Sequence, residues 1–131
     1  MAITHRIDDQ RRQVWIKADG ATTGAHVSAF IVELAESRSE LMDYDFVHDL
    51  REASGDVNNN DVDRVATSFS ARPSGPSHTV FITRDPSFGL WARSMDFQFP
   101  NRKHHVVHTP AEAEALLRRL RSEVSPARSP T

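Results

Sequence analysis

The chain has 131 residues, of which 38% are hydrophobic and 26% charged, enough for one domain with a real core and too apolar for a disordered polypeptide. Its net charge of −2 and pI near 6.4 supply no overall basic surface, the main driving force of nucleic-acid binding. The absence of cysteine excludes a disulfide framework, a thiolate nucleophile and a cysteine-type zinc site. The N-terminal MAITHRIDDQRRQ holds no apolar run of the signal-peptide kind and no stretch approaches membrane-spanning length, so a cytoplasmic protein is expected.

Ile3, His5 and Ile7 alternate with polar residues, Asp8–Asp9–Gln10 offers a turn, and Val14, Ile16 and Ala18 alternate again with Trp15 and Lys17 on the other face. This pattern predicts an antiparallel hairpin ending at Asp19–Gly20. Thr22 or Thr23 caps the next segment, where Val27, Phe30, Ile31, Leu34 and Ala35 keep helical spacing and Glu33, Glu36 and Arg38 take the outer face. Tyr44–Leu50 follows as a strand, with Phe46 and Val47 facing opposite sides. Polar residues from Arg51 to Asn60 form a loop, and Val62, Val65, Ala66 and Phe69 mark a second, shorter helix.

After the break at Arg72–Ser77, the β-branched run Thr79–Thr83 reads as a buried strand. Asp85 and Pro86 open a third helix, Asp85 as cap and Pro86 at the first helical position. Phe88, Trp91, Ala92, Met95 and Phe99 give that helix one apolar face, Phe97 falls off the stripe, and Gly89 permits close packing or a bend. Lys103–His108 is a last strand. Thr109–Pro110–Ala111–Glu112 is a capping box opening a helix that buries Ala113, Leu116, Leu117 and Leu120. The predicted fold is α/β: a mixed sheet of about five strands, mostly parallel behind an N-terminal antiparallel hairpin, with four helices. Residues 1–122 form one domain, and 123–131 are a disordered C-terminal tail.

The acidic residues from Glu33 to Asp63, Asp45 and Asp49 among them, read as a solvated edge, and Arg118, Arg119 and Arg121 as a basic helix end suited to the helix dipole. Ligands in open α/β sheets gather beyond the carboxyl ends of the strands, where Asp49, Arg84 and His108 would form a polar pocket able to serve acid–base catalysis. Asp85, Thr109 and Thr22 stand at the same edge but already cap helices. His104, His105 and His108 do not form a metal site on a strand: the first two face opposite sides, and His104 and His108 lie about 13 Å apart. No nucleophile elbow, phosphate-binding loop or dinucleotide fingerprint is present in the sequence.

The N-terminal hairpin, YDFVHDL, ASGDV before the second helix, TVFITRDPSFGLWARSMDFQF and the closing strand with its TPAEAEALL helix together resemble the SpoIIAA-like family. These are STAS-like relatives of bacterial anti-sigma-factor antagonists, and the likeness spans Ile3 to Leu120. The resemblance implies a STAS-like sheet and a binding or regulatory module without catalysis or cofactor. Its partner would be another protein or an apolar ligand, with peripheral membrane contact and a homodimer also in view. The signalling branch carries a phosphorylated serine in an Asp-Ser-Ser/Thr-Gly turn. Here Glu52–Ala53–Ser54–Gly55 lacks the aspartate, so Ser54 is read as a loop residue rather than a phosphosite. Members that touch membranes or apolar ligands do so through mobile helices, which makes Phe88, Trp91, Phe97 and Phe99 the candidate contact residues. The rival expectation is a small enzyme using Asp49, Arg84 and His108.

Overall fold

The computed structural model describes residues 3–20, 22–52, 76–99 and 101–128. In chain order they form β1 (Ile3–Asp8), β2 (Gln13–Ala18), α1 (Gly24–Ser37), a short 3-10 helix (Ser39–Asp43), β3 (Asp45–Asp49), β4 (Ser77–Ile82), α2 (Phe88–Gln98), β5 (Arg102–Val107) and α3 (Pro110–Arg128). The five strands lie side by side in sequence order. β1 is antiparallel to β2, and β2, β3, β4 and β5 run parallel. The α/β class and the mixed sheet with its antiparallel edge are as the sequence patterns predict.

Strand alternation sorts the core onto two faces. On one face Val14, Ile16 and Phe46 pack with Ile31 of α1 and with Leu41, Met42 and Tyr44, while Val27, Phe30 and Leu34 close the margin. Further along that face, Phe81 packs with Phe88, Met95 and Phe99. On the opposite face, Val47, Val80 and Ile82 pack with Ala113 and Leu117 of α3. Phe46 and Val47 do point to opposite sides. Each large side chain buried this way contributes roughly 1.5–3 kcal/mol. α1 and α2 therefore share one face and α3 covers the other.

The helix starts follow the capping rules with local variations. Thr23 caps α1: its hydroxyl accepts from the His26 N–H at 3.3 Å, and the His26 ring accepts from the Thr23 N–H, so a histidine takes the position usually held by glutamate. Thr22 instead donates its hydroxyl to Asp19. At α3, Thr109 Oγ1 accepts from Glu112 N–H at 3.1 Å, and Glu112 accepts from the His108 N–H. At α2, Asp85 accepts from the N–H and hydroxyl of Ser87, and the preceding turn is closed by a bond from Phe88 N–H to the Asp85 carbonyl. The regular helix thus begins at Phe88, two residues later than the Asp–Pro signal suggests.

Three expectations change. Among the described residues there are three α-helices rather than four, and the predicted Val62–Phe69 helix lies outside them. The last helix reaches Arg128, beyond the boundary expected at 122, since no glycine or proline stands between Ala111 and Ser125 to interrupt it. Gly89 meets nothing within 4 Å of where a Cβ would sit, so close packing does not explain it.

Candidate functional site

The aromatic helix carries two apolar stripes. Phe88, Ala92, Met95 and Phe99 are buried on the sheet, and Trp91 is half-buried against the same cluster beside Leu50 and Val106. Phe88 and Phe99, expected as contact residues, are core residues instead, because their spacing puts them on the stripe facing Phe81. Phe97 is 90% exposed and Leu90 68% exposed. Seven residues separate them, two helical turns or about 10 Å, so they share the face opposite the buried stripe, with exposed Arg93 between them. Leu90 escaped the sequence reading, and its spacing from Phe97 was the signal that could have found it.

Asp96 fixes this helix to the sheet edge. Its carboxylate accepts from the His104 N–H at 2.8 Å and lies 3.0 Å from the His104 ring nitrogen. β5 is an edge strand, and its His104 N–H would otherwise be open to pairing with a further strand. The outer face of α2 therefore stands on a helix held from beneath by its core stripe and laterally by Asp96.

At the carboxyl ends of the strands, Asp49 is engaged by Arg51 rather than by Arg84 or His108. Asp49 is buried and receives both Nε (2.9 Å) and Nη2 (2.7 Å) of Arg51. These bonds hold its carboxyl below the usual carboxylate range, against the opposing effect of burial. Arg84 and His108 are exposed, and among the described residues no hydrogen bond or ion pair joins Asp49, Arg84 and His108. Arg51, two residues along the chain, reaches Asp49 first. Ser54 lies outside the described residues.

Two polar clusters escaped the sequence reading. On the face shared by α1 and α2, the rings of Phe46, His48, Phe81 and His104 stack in a row, with centroids 5.3 to 6.2 Å apart, and Phe99 closes on His104. Arg102 lies with its guanidinium 5.2 Å from the Phe46 ring and donates to the carbonyls of Met42, Tyr44 and His78 and to Thr79 Oγ1 at 2.8 to 3.0 Å. On the α3 face, Asp45 is fully buried. It accepts from Arg121 through both carboxylate oxygens and from the His78 N–H. The solvated acidic edge is corrected here: Asp45 and Asp49 sit on a central strand, where alternation turns them into the layer under α3. Arg121 is correspondingly a clasp across the sheet rather than only a complement to the helix dipole.

His104 and His105 do point to opposite faces. His104 joins the ring row, while His105 Nε2 lies 3.1 Å from His78 Nδ1 on the other side. Burial, aided by the charge of Arg102, pushes His48 down to about 3. Burial also pushes His104 down to about 4, although Asp96 opposes it. Above the ordinary histidine pKa both states of the chain hold these rings neutral, so no stability is lost there. As pH falls below that value the unfolded chain takes up protons that the folded chain refuses, and stability falls. Acidification from about pH 8 to about pH 5 should therefore cost about 2 kcal/mol for each of the two rings. Urea midpoints across that range measure it, and His48→Phe, which keeps an aromatic ring between Phe46 and Phe81, should reduce the loss by about 2 kcal/mol.

No family model and no curated protein matches this sequence. Among the described residues, no helix is long and apolar enough to cross a membrane.

Proposed function

We propose that the chain is a STAS-like binding or regulatory module without catalysis, which contacts a protein partner or an apolar, lipid-like ligand through the outer face of α2. The observation that carries this reading is the exposed Leu90–Phe97 pair opposite the buried stripe. A fixed helix gains nothing in folding from two large apolar side chains left in water, whereas such a patch is what an interaction surface requires. Arg93 beside them, with Arg84 exposed ahead of the helix, favours a partner with an anionic rim. The STAS-like likeness is supported by the order of elements and by the parallel sheet behind an antiparallel hairpin. The enzymatic alternative draws no support from Asp49, whose oxygens are engaged by Arg51.

Trp91 follows Leu90 on the same helix and is half-buried at the margin of this face, so its emission senses what covers it. In a Trp15→Phe background, the emission of Trp91 should shift to the blue when anionic vesicles or long-chain fatty acids are added, with co-sedimentation on the vesicles. Phe97→Asp should weaken that binding roughly tenfold while changing stability by less than about 0.5 kcal/mol, as befits an exposed site. Absence of any shift would exclude lipid and leave a protein partner. Equal binding by Phe97→Asp and the parent would exclude this face.

A further inference from the structure

His78 and His105 stand apart from the α2 face and from the ring row. They come from neighbouring parallel strands, both are half-buried on the α3 side of the sheet, and His78 Nδ1 lies 3.1 Å from His105 Nε2. The rings are tilted by 40° with their centroids 5.2 Å apart, and the two nitrogens share a hydrogen bond in which one ring's N–H donates to the other's bare nitrogen. Two metal–nitrogen bonds of about 2.0–2.1 Å enclosing a tetrahedral angle hold their nitrogens about 3.3 Å apart. A right angle, as in tetragonal copper(II), holds them about 2.9 Å apart. The observed separation falls between these values.

We propose that His78 and His105 form a two-histidine chelate for a divalent transition metal, copper(II) ahead of zinc(II). Two imidazoles select borderline metals over calcium and magnesium, which require carboxylate and carbonyl oxygen. Asp45, a carboxylate in this layer, is bound by Arg121 and by the His78 N–H and does not compete for the ion. Among the described residues no third histidine, aspartate or glutamate joins the pair, so water completes the coordination shell and affinity is moderate. Burial holds both rings below the ordinary histidine value, against the opposing charges of Asp45 and Asp96 and with those of Arg102, Lys103, Arg119 and Arg121. At pH 7.5 an imidazole is neutral with one nitrogen bearing hydrogen, and metal binding replaces the hydrogen shared between His78 Nδ1 and His105 Nε2, which moves to the other nitrogen of its ring.

The test uses the untagged full chain at about pH 7.5, where free histidine is neutral. Calorimetric titration with copper(II) and with zinc(II) should give saturable binding, tighter for copper. Substoichiometric copper should broaden the imidazole resonances of His78 and His105 before those of His5, His26 or His108. His78→Gln and His105→Gln, confirmed as folded by their amide spectra, should each weaken binding by roughly tenfold or more, and His108→Gln should leave it unchanged. Unchanged affinity in both glutamine variants, or first broadening at His5 or His26, would overturn the assignment. So would the absence of saturable binding in the parent.

Discussion

Arg102→Met should lower the stability of the fold by about 4 kcal/mol, read as a shift of the urea midpoint, because it removes the donor from four acceptors at once. Arg102 is 4% exposed. Its guanidinium reaches the carbonyls of Met42 and Tyr44, which lead into β3, and His78 O and Thr79 Oγ1 at the start of β4. It thereby binds the N-terminal ends of three parallel strands to one another. Burial lowers its pKa to about 10, so it stays charged at neutral pH. Methionine fills part of the volume but leaves buried carbonyls without donors, and a cost of this size is a large share of the stability of a small domain. Arg102→Lys should fall between the two, since a single ammonium lacks the planar fork that reaches acceptors on both sides.

The second large effect concerns the Asp45–Arg121 clasp, and its two halves are unequal. Arg121→Ala should cost about 3 kcal/mol, because it leaves a fully buried carboxylate with the His78 N–H as the remaining hydrogen-bond donor to its side chain among the described residues. Asp45→Asn should cost less. The side chain of Arg121 is 41% exposed and water takes up its charge, while asparagine can still accept from the His78 N–H. Urea denaturation of the two variants measures the ordering. Equal costs would mean that α3 is held by Leu117 and Ala113 alone.

Much of this architecture was legible in the chain. The alternation of Ile3–Ile7 and Val14–Ala18 marks a hairpin, and the spacing from Val27 to Ala35 marks α1, because apolar period and burial follow from backbone geometry alone. The Thr109–Glu112 start of α3 was equally plain. What was not legible was the partner of each charge. Asp45 belongs to an acidic run that has every mark of a solvated surface, and its acceptor role depends on Arg121, which lies 76 residues further along the chain. The predicted strand begins at Lys103 and leaves Arg102 outside it, since nothing local tells a buried arginine from an exposed one. Its acceptors lie 23 to 60 residues away.

The candidate site divides in the same way. The off-stripe position of Phe97 follows from helical period, and its 90% exposure agrees. The grouping of Asp49, Arg84 and His108 follows from sheet topology, whereas the bond that Asp49 makes to Arg51 does not. By itself the sequence determined the periodic features: an α/β layer fold, its antiparallel hairpin and the two-sided character of α2. Only the tertiary structure decided which polar groups meet. It placed Arg102 beneath three strands, Asp45 under Arg121 and His78 against His105, pairings between strands and helices that no local pattern encodes.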